Sequence, residues 1–310
     1  MRFPFKLYES RNFDVAGFGT NAVDYLIRVP HYPEFNSKVE FVDVVQAAGG
    51  EIATTIAGLQ RLGLKTAYVG RFGDDPEGVF GLESLRAEGV DLRFAETIEN
   101  ARTQIAFIVI DIRNGERTVI WKRDAALGYT PGEAPLDIAS DCRILHFTPH
   151  DALACFAMAR AAKKAGAVIS IDIDNDFDGI EDVLPLVDIL MTSAEFPERF
   201  IGIADREMAL RELRSRYGCG VTGMTLGETG SLIFCEGQYF RTDGFAVPGG
   251  CMDTTGAGDA FRVGLLYGLL RGESIEVSAR MANAVAALKC RAVGARTALP
   301  TPQELEDLLK

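Results

Sequence analysis

Short apolar strands alternate with helical stretches along most of the chain, and that alternation limits the fold more than any other feature. Residues 13–17 read as a buried strand. Residues 51–61 read as a helix, with Ile52, Ile56, Leu59 and Leu62 at helical spacing and Gly63 to stop it. Strand 66–70 precedes helix 76–88, strand 144–147 precedes helix 152–165, and strand 168–172 precedes helix 180–186. Strand 188–192 leads to helices 195–201 and 205–217. Strands 221–225, 231–235 and 238–241 follow, and helices near 258–270, 275–290 and 302–309 close the chain. A strand followed by a crossover helix returns parallel to itself, and a parallel sheet is buried on both faces. The pattern therefore predicts an α/β three-layer sandwich with a mostly parallel central sheet.

Two stretches break the alternation. Near 20–46, strands 23–29 and 39–45 flank a turn-rich segment with Pro30, Pro33, Asn36 and Ser37. Near 101–123, strands 104–111 and 119–122 flank Arg113-Asn114-Gly115-Glu116, whose Asn-Gly step is a strong hairpin signal. These insertions are alike in type, and we expect them to pair into one small β-sheet lid on a single domain spanning 1–310. Ile105, Phe107 and Val109 point to one face, and Ala106, Ile108 and Ile110 to the other. Both faces then need cover: one from a ligand, the other from a partner subunit, giving a homodimer through the lid sheet.

Charge excludes some partners. Thirty-two basic residues against 44 acidic ones leave a formal charge of −12, which argues against nucleic-acid and anionic-membrane binding. No apolar run reaches the roughly 18–20 residues of a membrane helix, and nothing resembles a secretory signal. The six cysteines form no CxxC pair and read as reduced thiols, so a cytoplasmic location is expected. His146 and His150 flank Pro149 after a strand and read as local structure rather than metal ligands.

Gly17-Phe18-Gly19-Thr20-Asn21-Ala22 fits the opening of a dinucleotide fingerprint, but that reading needs a long helix next. The following Asp24–Pro30 stretch is β-rich and stopped by proline, so the glycines instead turn the chain out of the sheet. Asn21 and Asp24 are then left at the sheet's carboxyl edge, where open α/β sheets bind ligands. The richest segment is Asp253-Thr254-Thr255-Gly256-Ala257-Gly258-Asp259-Ala260-Phe261, a small-residue loop leading into a helix. Glycines let backbone N–H groups approach an anion at a helix start, where the field favours negative charge. Asp259 in the first turn reads as a cap or dipole partner by itself. Beside an anion hole it makes better sense as a base that takes a proton from an alcohol while the amides hold a phosphoryl group.

This segment resembles the C-terminal signature of the ribokinase-like (PfkB) carbohydrate kinases. Further segments match that family in order: Ala48-Gly49-Gly50 with Ala57 and Arg61-Leu62-Gly63, the run from Val69 to Gly78, Gly115-Glu116-Arg117-Thr118, and Thr225-Leu226-Gly227-Glu228-Thr229-Gly230. The resemblance covers residues 13–309. It implies Asp259 as general base, Gly256, Ala257 and Gly258 as anion hole, and Asp24, Asn21, Gly49, Gly50 and Thr54 around the sugar. It implies Thr225, Gly227 and Gly230 along the ATP site, Asn283 near the adenine, and Thr192 and Glu195 on the phosphate side, with Glu195 organising Mg²⁺ through water. Many members also bind a monovalent cation such as K⁺. Asp253, Thr255 and Gly294 match that site, Ala298 stands where some members place a hydroxyl, and the cation is left open.

Two positions depart from the family. Thr192 and Thr54 stand where asparagine is usual, which puts phosphate organisation and sugar identity in doubt. The expected activity is transfer of the γ-phosphoryl group of ATP to a sugar hydroxyl. A nucleoside kinase of the same fold and a non-catalytic sugar- or nucleotide-binding protein are the alternatives.

Overall fold

The computed structural model describes residues 1–310. Its strands are β1 (Phe13–Phe18), β2 (Ala22–Val29), β3 (Asp43–Gly49), β4 (Thr66–Gly73), β5 (Asp91–Ile98), β6 (Ile105–Asp111) and β7 (Arg117–Lys122). They continue as β8 (Cys142–Phe147), β9 (Val168–Ile173), β10 (Ile189–Thr192), β11 (Val221–Thr225), β12 (Ser231–Cys235) and β13 (Gln238–Thr242). The helices are α1 (Glu51–Arg61), α2 (Pro76–Ala87), α3 (Ile138–Asp141), α4 (Ala152–Ala165) and α5 (Ile180–Val183). They continue as α6 (Phe196–Ile201), α7 (Arg206–Tyr217), α8 (Ala257–Leu270), α9 (Ile275–Lys289) and α10 (Pro302–Leu309).

The main sheet has nine strands in the order β13-β12-β11-β10-β9-β8-β1-β4-β5. Every neighbouring pair from β11 to β5 is parallel, and only the β11–β12 and β12–β13 pairs are antiparallel. Adjacent strand residues face opposite layers, as the two-residue pleat demands. Val15, Ile144 and Met191 pack with Ile52, Ile56, Phe261 and Leu265 of α1 and α8. Ala16, Leu145 and Leu190 face Cys155, Met158 and Ala159 of α4. The expected three-layer sandwich is therefore present.

The two insertions form a separate sheet in the order β3-β2-β6-β7, joined by a parallel β2–β6 ladder. On one face Leu26, Ala106, Ile108 and Ile110 cluster with Ala47 and Val293. The other face leaves Val44, Phe107 and Ile120 exposed.

Several elements differ from the sequence expectation, among them the short helix α3, which was not expected. β3 spans Asp43–Gly49 rather than 39–45, and the small residues Ala47, Ala48 and Gly49 carry its ladder on to Ala22 at close backbone approach. β5 was not expected; Arg93 and Glu96 interrupt its apolar pattern on a sheet edge. The helix expected over 180–186 stops at Val183 and tightens into a 3₁₀ turn at Leu184–Leu186, where Pro185 lacks an amide hydrogen.

Candidate active site

The site lies where the loop before α8 meets the lid. Gly256 caps α8 with φ 76°, a left-handed turn in which a side chain would also meet Ala295 Cβ at 2.7 Å. The amides of Gly256, Gly258 and Asp259 have no protein acceptor. Ala257 departs from its expected place in the anion hole, because its amide donates to the Thr254 carbonyl at 3.1 Å and closes the turn. Two glycine amides plus that of Asp259 itself therefore remain for an anion, at the positive end of a 14-residue helix.

No protein group donates to the Asp259 carboxyl. Burial raises its pKa well above the ordinary value, the Glu51 and Asp172 charges push it further, and Arg262 opposes them. Arg262, one turn along α8, is almost fully buried, donates to the Gly258 carbonyl at 3.1 Å and pairs with Asp172. Burial outweighs that pairing and pushes Asp172 up to about 7. Glu51, at the start of α1, meets His150 Nε2 at 3.0 Å. Burial alone would raise the Glu51 pKa, but His150 overrides it and lowers the value. His150 in turn packs edge-on against Trp121 of the lid and Phe177.

The second half of the site is built on β2 and the β3–α1 corner. Asp24 is buried, receives no hydrogen bond from the protein, and is pushed up to about 6 by burial, against the pull of Arg296. Gly49 lies against it, and a Cβ there would stand 2.0 Å from Asp24 Oδ2. Arg296 donates to the Gly49 carbonyl, to Thr54 Oγ1 at 3.4 Å and to Ser84 Oγ at 3.3 Å. Burial pushes Arg296 down to about 10, with Asp24 the largest opposing charge. Thr54 is thus held by Arg296 and fully buried. Asn21 is also turned inward: its Nδ2 donates to Tyr68 Oη at 2.8 Å and to the Arg71 carbonyl at 2.9 Å. It frames the corner beneath Gly50, where an added Cβ would strike Asn21 Cα at 2.4 Å.

The lid docks on the anion-hole loop. Thr254 donates its amide and hydroxyl to the Gly115 carbonyl at 3.1 and 3.0 Å, and Arg117 donates to Thr254 Oγ1 at 3.0 Å. The β6–β7 turn therefore connects the lid mechanically to α8.

Comparison with known proteins matches this architecture to one family. The model of the pfkB family of carbohydrate kinases aligns with residues 15–302. This chain belongs to that family. It is 28% identical to a nucleoside kinase of Methanothermobacter thermautotrophicus over 301 residues, 95% of either chain. It is 30% identical to a fructokinase of Escherichia coli over 282 residues, covering 83% of this chain and 90% of the other. In structure it matches adenosine kinase of Sinorhizobium meliloti with a TM-score of 0.84 at 22% identity, covering 96% and 99% of the two chains. An Arabidopsis thaliana ribokinase complexed with ribose and ATP gives 0.81 at 24% identity, covering 96% and 99%. The pfkB chain described here is thus a kinase of the sugar and nucleoside type, a phosphotransferase with an alcohol acceptor.

The residues that the resemblance assigns to the nucleotide gather near the ends of β10 and β11. Thr225 ends β11, Gly227 is exposed in the next turn, and Gly230 packs against the Thr242 backbone. Glu195 is exposed and has no protein partner. No three His, Cys, Asp or Glu residues group together as metal ligands. Two of the expected nucleotide-side residues are engaged within the fold. Thr192 is fully buried, and its hydroxyl donates to the Gly223 carbonyl at 3.4 Å. The Asn283 amide is 3.2 Å from Ser231 Oγ and from the carbonyls of Thr242 and Asp243, so it ties α9 to β12–β13. Arg262, Arg296 and the Glu51–His150 pair were not expected. A cation inside an apolar helical run, as in Phe261-Arg262-Val263, was the one readable signal.

Proposed function

We propose that this kinase transfers the γ-phosphoryl group of ATP to a hydroxyl of an unphosphorylated sugar, with Asp259 as general base. The observation that carries this reading is the partnerless Asp259 carboxyl beside the free amides of Gly256 and Gly258. Asp24 holds and orients the sugar at the Gly49–Gly50 corner, because each hydroxyl needs a directed partner. Asp259 takes the hydroxyl proton as that oxygen bonds to the γ-phosphorus and the bond to the β-phosphate oxygen breaks, releasing ADP. Gly256 and Gly258 stabilise the charge on the migrating group. Mg²⁺ bound to ATP supplies further charge neutralisation, and Glu195 and the Thr225–Gly230 turn hold that side. The lid excludes water that would otherwise hydrolyse ATP. One kinase domain, with the lid as its insertions, suffices for these steps.

An unphosphorylated acceptor is favoured because the basic lid residues are already engaged or remote. Arg28 pairs with Asp43, Arg123 is held by Asp151 through two 2.8 Å bonds, and Lys38 and Arg102 are exposed. The second reading, a nucleoside acceptor, is favoured by the named activity of the Methanothermobacter relative. ADP release with a panel of ketoses, aldoses, sugar phosphates and nucleosides decides between them. Preference for a free sugar is expected, and turnover confined to a nucleoside or a sugar phosphate rejects it.

The exposed lid face carries a second expectation. Val44, Phe107 and Ile120 form an apolar surface suited to a second copy of the lid. Sedimentation should give twice the 33.7 kDa chain mass, reduced to one chain by Ile120→Asp. A monomeric wild type at micromolar concentration rules this out.

A further inference from the structure

Lys289, the last residue of α9, has no exposed side-chain surface. Its Nζ donates to the Asp253 carbonyl at 2.7 Å and lies 3.7 Å from Asp253 Oδ2. Asp253 is equally buried, and its carboxylate also accepts the amides of Thr255 and Gly294 at 2.8 Å each. Those two amides fix the loop that leads into Gly256. A buried carboxylate requires a compensating positive charge, and here the chain supplies one covalently.

This arrangement bears on the monovalent cation that the family resemblance left open. Asp253, Thr255 and Gly294 are the residues matched to that site, yet the ammonium of Lys289 already takes the Asp253 carbonyl and faces its carboxylate. A second cation there would meet like charge, with the Asp253 carboxylate shared between two ions. The residues present do not fit K⁺.

We infer that Lys289 is a built-in cation that takes the place of K⁺ at the anion-hole loop, acting as a positioning residue and freeing the enzyme from monovalent-cation activation. The ammonium touches neither sugar nor phosphate. It holds Asp253, which holds the Thr255 and Gly294 amides, which in turn set the left-handed turn at Gly256. The catalytic consequence rests on the proposed kinase reading; the ion-binding consequence does not.

The test compares wild type and Lys289→Ala in choline chloride and in KCl or NH₄Cl of matched ionic strength. Wild type should show the same turnover and the same thermal midpoint in all three salts. Lys289→Ala should lose about 10²-fold in kcat in choline, the scale expected when a reacting geometry is displaced. KM for the sugar should change little, and K⁺ or NH₄⁺ should restore much of the kcat and raise the thermal midpoint of the variant alone. Activation of wild type by K⁺ over choline overturns the inference, as does an undiminished Lys289→Ala or a loss that neither ion repairs. If Lys289→Ala does not fold, the wild-type salt comparison still decides. If no acceptor is turned over, the kinase reading fails, while the thermal midpoints in K⁺ and choline still test the built-in cation.

Discussion

Asp259→Asn is expected to fold normally, bind ATP and sugar, and lose about 10³-fold in kcat, the scale on which removal of a general base acts. The substitution keeps the shape and removes the proton acceptor. It breaks no structural contact, because no protein group donates to this carboxyl. It also removes a half-buried charge that Glu51, Asp172 and Asp174 repel. A carboxyl whose folded pKa lies above its unfolded value costs stability once it ionises, so stability is lost as pH rises through the folded pKa. At pH 8 the asparagine variant should therefore melt no lower than wild type. The activity runs the other way. Only the ionised base accepts a proton, so wild-type kcat/KM should fall as pH drops, at a pH above the ordinary carboxylate range. The residual rate of Asp259→Asn should lack that limb. A variant with near-normal turnover on the true acceptor, or with a lowered melting point at pH 8, removes Asp259 from the role of base.

The contrast between Asp259 and its neighbours shows what a sequence can carry. The loop that carries Asp259 and its glycines, and the two insertions, were legible because each needs a local pattern: a small-residue loop at a helix start, or a hairpin turn. The same holds for the helix beginning at Glu51 and the helices at 152–165 and 302–309, whose apolar spacing and stop signals are local. Partners supplied from far along the chain were not legible. Arg296 reaches Gly49 across 247 residues, and Lys289 reaches Asp253 across 36. Neither stands in a periodic pattern that marks it as buried. Thr54 shows the consequence: a position that matched a sugar contact by resemblance is claimed by Arg296 once the chain folds. Thr192 and Asn283 are similar, since hydrogen-bonding residues near a sheet edge serve either ligand or backbone, and only the completed ladder decides which. β5 escaped because an edge strand buries little and so needs little apolar alternation.

On the acceptor side, Asp24→Asn should lower kcat/KM for the sugar about 10–100-fold, the worth of one hydrogen bond to a charged group. The loss should fall mainly on KM for the sugar, leaving KM for ATP unchanged, because Asp24 belongs to the β2 half of the site and not to the Thr225–Gly230 turn. Asp24 is pushed up to about 6, so in wild type the sugar KM should rise as pH falls through that value and the carboxylate becomes protonated. Asp24→Asn should show no such rise. The fold should survive, because burial, which the neutral side chain relieves, is a larger influence on Asp24 than the attraction to Arg296 that it forfeits. Gly49→Ala tests the same carboxylate without removing its charge. Its methyl group would lie 2.0 Å from Asp24 Oδ2, so the carboxylate must move and the sugar KM must rise in the same direction. If both variants keep the wild-type KM for the accepted sugar, Asp24 does not hold the acceptor, and the burial of an unpartnered carboxylate beside Gly49 needs a different cause.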